Sequence, residues 1–455
     1  MAANSISSEE EESMMRFVVR QMGWAATLVV ALWGGQSRGE NWPQFRGPQF
    51  NGSTTEKKLP AKWTRTEGIK WVADMPGAAA ATPVVWGDKV FVSSTDAEAK
   101  TLIALCLDRT TGKTLWRHKI AEGLSQDSRS NYASPSPATD GERVVFFYGS
   151  GELAAFDVDG KPAWTRNIQK EYGEFAFQWT FSTSPLLYQG KLYLQVLQRN
   201  VPARGRGAKD GKSESYLLAI DSATGKELWR HVRPSQAVAE SLEAFSTPIP
   251  LEHQGRSEIV VVGGDDISGH DPATGKELWR WGTWNPTRIG HWRLVPSPVV
   301  GGGVVLACAP KGDPIYAVKV GGSGHLSDNA LAWVSREDKS LTTDVPTPAF
   351  ADGDFFILSD VRKTLSRVDP ATGKAKWQFK TPGLAKYEAS PLVADGKVYL
   401  INFVGDVVVV DAANGEQISL ISMDEPADDA VRSSIIAANG QLFIRVNRKL
   451  YCVGG

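Results

Sequence analysis

One phrase recurs along this chain: an apolar residue, Asp, a short turn ending in Thr-Gly, then Lys, two residues and Trp. It reads Asp108-Arg-Thr-Thr-Gly-Lys-Thr-Leu-Trp116, returns at Asp221 to Trp229, Asp271 to Trp279 and Asp369 to Trp377, and is one residue shorter at Asp157 to Trp164. Asp411-Ala-Ala-Asn-Gly-Glu-Gln-Ile is a copy without the Trp, and Trp333 closes a copy whose turn has grown to Gly321 through Asp328. The phrase is hairpin chemistry: Asp and Thr side chains take nearby backbone N–H groups, Gly accepts the left-handed conformation, and Lys begins the next strand. A second phrase alternates with it: Ser/Thr-Pro, a few apolar residues, a Gly turn and an alternating apolar strand. It starts at Thr82, Ser136, Ser184, Thr247, Ser297, Thr347 and Ser390, and at Ser433 with Ser434 in place of Pro, at intervals of 43 to 63 residues. That is the length of a four-stranded propeller blade.

The eight copies predict an all-β fold, a single eight-bladed β-propeller of four-stranded antiparallel blades over residues 60–455, after an irregular lead-in at 40–59. Ile69-Lys-Trp-Val-Ala73 supplies a Trp strand ahead of the first Pro, so it completes the blade begun by Arg448 through Val453. Such closure removes the exposed sheet edges of an open array. Only Ser235 through Phe245 has helical periodicity.

The chain holds 16 Trp in 455 residues, and the repeat gives seven of them a structural role. Trp71, Trp116, Trp164, Trp229, Trp279, Trp333 and Trp377 fall at one place on the outer strand and are predicted to dock blade against blade. Each ring buries about 150 to 250 Å², an upper bound of about 4 to 6 kcal/mol. The other nine, including Trp42, Trp179, Trp281, Trp284 and Trp292, are where a recognition surface is to be sought.

A net charge of −1 gives no bias toward nucleic acid or an anionic membrane. Cys106, Cys308 and Cys452 lie apart in apolar runs and read as free, buried thiols. Arg16 and Arg20, the apolar run from Met22 to Trp33 and the small-residue exit to Gly39 predict a leader and signal peptide over 1–39, or an uncleaved anchor. The run is shorter than the about 20 residues a span requires. The acidic stretch Glu9 to Glu12 is foreign to a signal's basic end, which places the start of translation at Met14 or Met15. The location implied is periplasmic or secreted.

The repeated phrases resemble the tryptophan-docking repeats of the pyrroloquinoline quinone propeller family, with its pattern Ala-x-Asp-x-x-Thr-Gly-Lys-x-x-Trp. The resemblance covers nearly the whole chain after the leader and implies one of two functions. Quinoprotein dehydrogenases of the family pair the quinone with a vicinal disulfide and a Ca²⁺ held by Glu, Asn and Asp. BamB-like members are non-catalytic subunits of the outer-membrane β-barrel assembly machine. This chain has no adjacent Cys pair and no Cys-x-x-Cys-His, and so is similar to the second group, although it has no acylable Cys near the leader.

The loops entering the innermost strands gather on one face of a propeller. The polar or aromatic residues that end them form a candidate binding face: Asn131, Trp179, Glu243, Arg293, Asp344, Glu388 and Arg432. Three carboxylates with an Asn offer hard oxygen ligands, and Trp179 offers a stacking surface for a planar quinone. Two arginines among them oppose a cation. No catalytic residue and no metal ligand is assigned, and no cofactor is expected; the alternative is the quinone with Ca²⁺. The loop Arg199 through Lys212 carries five positive charges against one negative and reads as a solvated insertion or a grip for an acidic partner. His270 reads as a packed strand residue. The whole predicts an exported, monomeric, non-enzymatic scaffold for protein partners in the cell envelope, with a quinone-dependent dehydrogenase of alcohols or sugars as the alternative.

Overall fold

The computed structural model describes residues 1, 39–64, 66–210, 213–423 and 430–454. The leader, its apolar run and the end of the basic loop lie outside these residues. Among the described residues, no helix is long and apolar enough to cross a membrane.

The described chain from Gly39 onward forms eight sheets, one per predicted blade. Blade 1 is an antiparallel meander of Val84–Trp86, Lys89–Asp96, Thr101–Asp108 and Thr114–Glu122. Blades 2 to 7 repeat this order. Blade 8 takes Ile436–Ala438, Gln441–Val446 and Lys449–Gly454 from the end of the chain and Ile69–Asp74 from its beginning, with Trp71 opposite Cys452. The ring is therefore closed by pairing the two ends of the domain, as the position of Trp71 predicts.

Burial within a blade follows the sequence pattern. The third strand of blade 7, Asp406–Asp411, carries four consecutive valines that are all fully buried between neighbouring blades. The outermost strand of blade 6, Ala375–Lys380, alternates half-buried and exposed because one face looks to solvent. The Asp-x-x-Thr-Gly turn joins these two strand types. At Asp221 its carboxylate accepts the Thr224 N–H at 2.8 Å and hydroxyl at 2.7 Å, while Gly225 turns at φ +72°. The turn leaves a bulge between Ala219 and Ile220, which aims Trp229 toward the next blade.

Six of the seven repeat tryptophans make the same contact. Their rings lie against the turn glycine of the following blade: Trp71 on Gly112, Trp116 on Gly160, Trp164 on Gly225, Trp229 on Gly275, Trp333 on Gly373 and Trp377 on Gly415. Each indole N–H donates to a carbonyl of that same turn, at 2.7 Å to Arg109 O for Trp71 and 3.2 Å to Pro272 O for Trp229. Trp279 departs from the expectation. Its N–H donates at 2.5 Å to Glu258 of its own blade, because the following blade has the overgrown turn in place of Asp-x-x-Thr-Gly.

That turn also adds to the four antiparallel strands of blade 4. Gly324–Leu326 adds a fifth strand, parallel to Glu277–Gly282, with Leu326 opposite Trp281. The helical periodicity at 235–245 yields only a 3₁₀ turn, Ala239–Leu242. A five-residue α-helix, Ile168–Tyr172, arises instead where Asn167 caps the Lys170 N–H at 2.8 Å. All three cysteines are free and buried. Trp42, Trp281 and Trp284 are at most 4 % exposed, so these three belong to the core and not to a recognition surface. His270 is fully buried, bonded to Ser268 Oγ at 2.8 Å and Gly275 O at 3.1 Å, and burial pushes its pKa down to about 3.

Candidate functional site

The Ser/Thr-Pro phrases converge on the axis and build a closed belt. The Thr82 N–H donates to Ser136 Oγ at 2.9 Å, Ser136 to Ser184 at 2.9 Å, Ser184 to Thr247 at 3.2 Å and Thr247 to Ser297 at 2.9 Å. Ser297 donates to Thr347 at 3.0 Å, Thr347 to Ser390 at 3.0 Å, Ser390 to Ser434 at 3.1 Å, and Ser434 returns to Thr82 Oγ1 at 3.3 Å. Each blade thus supplies one acceptor to its neighbour and one donor to the next. Pro after the hydroxyl residue brings no further N–H to the crowded axis in seven of the eight phrases. The last phrase is corrected by one position: Ser434 is the belt hydroxyl, and Ile435 occupies the place of Pro.

Beneath the belt the lead-in closes the channel. Trp42 pairs with Val85 at 2.9 and 2.8 Å, Gln44 with the backbone of Leu187 at 3.0 and 3.2 Å, and Gly52 O accepts the Val393 N–H at 3.0 Å. These bonds cap the inner edges of blades 1, 3 and 7, which no neighbouring strand covers. Arg46 donates to Pro391 O at 3.1 Å and Pro348 O at 2.9 Å, and burial lowers its pKa to about 9. Phe45 forms the floor of a funnel of about 160 Å³ that opens on the opposite face.

Extended chain alternates its side chains, so the residue two before each belt hydroxyl points the same way. All eight such residues line the funnel: Ala80, Ser134, Ser182, Phe245, Val295, Val345, Glu388 and Arg432. Phe245, Val295 and Val345 make the rim apolar on blades 4 to 6, Glu388 and Arg432 charge it on the adjoining blades 7 and 8, and Arg129 and Arg293 add charge from outside these eight positions.

Of the seven sequence-predicted face residues, the funnel brings together Trp179, Arg293, Glu388 and Arg432. Arg432 Nε donates to Glu388 Oε2 at 3.1 Å. Trp179 donates to Glu240 Oε1 at 3.2 Å, and its ring carries the guanidinium groups of Arg204 and Arg129 at 4.9 and 5.7 Å. Arg293 stands 3.6 Å from Asp344 Oδ2.

The remaining three are not funnel-lining residues. Asn131 is buried in its own loop, giving Nδ2–H to Ala78 O at 3.1 Å and accepting from the Ala133 N–H at 2.9 Å. Glu243 is fully buried, accepts the Gln178 N–H at 3.1 Å, and is ion-paired to Arg199. Burial raises its pKa to about 7 against the pull of Arg199. Asp344 accepts the Lys311 N–H at 2.9 Å, and its own N–H goes to Asp360, whose pKa burial raises to about 6. Sequence reasoning missed Arg129, Phe45 and the belt itself. The basic loop is anchored at its start by Arg199 on Glu243 and further along by Arg204 on Trp179.

The donor chemistry bears on the quinone with Ca²⁺. Calcium takes about six to eight oxygens. Here Glu243, Asp344 and Glu388 each face an arginine, and among the described residues no group of three or more His, Cys, Asp or Glu could hold a metal ion. The residues present do not fit the cation half of that site.

The family model of pyrroloquinoline quinone repeats described as outer membrane protein assembly factor BamB matches residues 52–203, 105–379 and 213–454. The chain belongs to this family. Among curated proteins, this BamB-type propeller is similar to a polyvinylalcohol dehydrogenase of a Sphingopyxis species, 28 % identical over 202 residues, or 41 % of the chain and 29 % of the relative. It is also similar to the quinohemoprotein alcohol dehydrogenase ADH IIB of Pseudomonas putida, 23 % identical over 336 residues, or 72 % of the chain and 37 % of the relative. The chain spans between 24 % and 37 % of the length of the curated relatives it matches. Among solved structures, the quinohemoprotein alcohol dehydrogenase of Comamonas testosteroni has a TM-score of 0.63 at 15 % identity, covering 91 % of this chain and 81 % of that one. BamB of Moraxella catarrhalis has a TM-score of 0.57 at 13 % identity, covering 85 % and 99 %. Both structures share the fold.

Proposed function

We propose that this BamB-type propeller is a non-enzymatic binding scaffold that holds a protein partner in the cell envelope at the mouth of its funnel. The observation that carries this reading is the pairing of the carboxylates. Glu243, Asp344 and Glu388 are each matched by an arginine, so the face offers neither a cluster of free oxygens for a cation nor an unopposed base. What it offers is a rim with an apolar arc beside a charged one, suited to holding a side chain or two of another molecule.

A photo-crosslinking residue in place of Ser182, at the funnel, and another in place of Leu115, half-exposed on an outer strand, test the reading in living cells. Discrete adducts from the funnel position alone support it. Equal labelling from both, or none from the funnel, counts against it.

The alternative is a quinone-dependent dehydrogenase, favoured by the alignment with ADH IIB over 72 % of the chain. It requires that the quinone displace Arg129 or Arg204 from Trp179 and find a cation site that the paired carboxylates do not make.

A further inference from the structure

Three arginines and one glutamate line the funnel: Arg129, Arg293 and Arg432 against Glu388. With Arg432 already bonded to Glu388, the lining keeps an excess of positive charge. A side chamber of about 20 Å³ adjoins it, sharing Arg129 and Arg432 and adding Arg445, with no carboxylate among the described residues that line it. Arg445 is 1 % exposed and among the described residues bonds to neutral oxygens, Ser93 O at 2.6 Å, Gly77 O at 2.9 Å and Ser94 Oγ at 3.3 Å. Burial without a carboxylate partner lowers its pKa to about 10.

Two of these guanidinium groups are incompletely satisfied. Arg293 is 6 % exposed, and its Nη1 meets no acceptor among the described residues; Arg445 Nε likewise meets none. Leaving a buried charged donor unmade costs more than a neutral one, so a folded protein keeps such a group where something else completes it. Asp344 pairs with Arg293 through Nη2 at 3.6 Å, which leaves Nη1 to an incoming acceptor.

We propose that the funnel is a carboxylate-binding site in which Arg293 and Arg129 grip the anion and the apolar rim of Phe245, Val295 and Val345 packs against the stem that carries it. A guanidinium fork matches a carboxylate in two parallel bonds. The funnel's size admits a Glu or Asp side chain or a small dicarboxylic acid and excludes a folded domain. This rests on the binding reading above and names the partner's chemistry: an acidic segment offered to the mouth.

The test is calorimetric titration of the intact protein with an acetylated and amidated tetraglutamate peptide, its tetraglutamine counterpart, and succinate. Tetraglutamate binds, tetraglutamine does not, and added NaCl weakens the complex. Arg293→Gln and Arg129→Gln each lower the affinity about tenfold or more. Arg129 is exposed, so its variant keeps the wild-type unfolding midpoint even if the Arg293 variant does not. Succinate binding as tightly as the peptide, with the same arginine dependence, upholds the carboxylate site and assigns it to a small molecule. Equal binding of both peptides, or binding indifferent to Arg129→Gln in a folded variant, overturns the proposal. Dye-linked turnover with quinone would instead sink the non-enzymatic reading and leave these titrations as they stand.

Discussion

Glycine at the blade turn is required twice over, once by the backbone and once by the ring that rests on it. Gly275 has φ +74°, and a Cβ there would stand 2.5 Å from Trp229 Cε3. Gly255 has nearly the same backbone, φ +76°, with nothing within 4 Å of the added carbon. Gly255→Ala therefore reads the left-handed penalty alone, about 1 to 2 kcal/mol. Gly275→Ala adds the overpacking of an indole, about 1 to 3 kcal/mol, for a sum of about 2 to 5. Trp229→Ala alone costs about 3 kcal/mol, since the ring is only half-buried. In the double variant the overpacking vanishes and the backbone term adds to the loss of the ring alone, so the two changes are sub-additive by about 1 to 3 kcal/mol. Urea unfolding followed by tryptophan fluorescence, with m-values compared across the set, measures all four corners. Strict additivity, or a Gly255→Ala cost equal to that of Gly275→Ala, would refute the view that the ring on the glycine locks blade to blade.

Ser297→Ala opens the hydroxyl belt and leaves the Thr247 N–H without its acceptor, which costs about 1 to 3 kcal/mol in the same assay, whereas Ser297→Thr restores the bond. Arg46→Met frees the buried carbonyls of Pro348 and Pro391 and lowers the unfolding midpoint; limited proteolysis then cuts the lead-in faster than in the wild type. Glu243 has its folded pKa raised to about 7 from an ordinary 4.5, so the folded state holds the extra proton between those values and stability falls as pH rises through that window. Glu243→Gln removes this slope: between about pH 5 and about pH 8 the variant's urea midpoint declines less than the wild type's. His270, lowered from 6.5 to about 3, acts in the opposite direction between those values and is common to both proteins, so it cancels in the comparison.

The ring was legible in the sequence because its chemistry is periodic. Asp, Thr and Gly mark each turn, Ser/Thr-Pro marks each inner strand, and Trp71 ahead of the first Pro marks the closure. The overgrown turn at Gly321 was visible too, but that it adds a strand to blade 4 and leaves Trp279 bonded to Glu258 depends on which edge was vacant. The candidate site was half legible for a definable reason. Glu388 and Arg432 stand two residues before their belt hydroxyls and line the funnel by the alternation of extended chain. Glu243 stands four before Thr247, with Phe245 at the funnel-lining place, and Asp344 stands three before Thr347, with Val345 there. Trp179 and Arg293 reach the funnel from farther back on long side chains, which counting along the strand does not anticipate. Arg129 and Phe45 carry no repeat signal, the first lying in an irregular loop and the second reaching the axis only through the path of the lead-in.

The most direct measurement of the central claim is a spectral titration of the purified protein with pyrroloquinoline quinone and Ca²⁺, read together with dye-linked oxidation of alcohols and sugars. If the arginine-paired carboxylates make this a binding propeller, Ca²⁺ leaves the quinone spectrum unchanged and no substrate reduces the dye. Stoichiometric, Ca²⁺-dependent quinone binding with turnover that Glu388→Gln abolishes would contradict it.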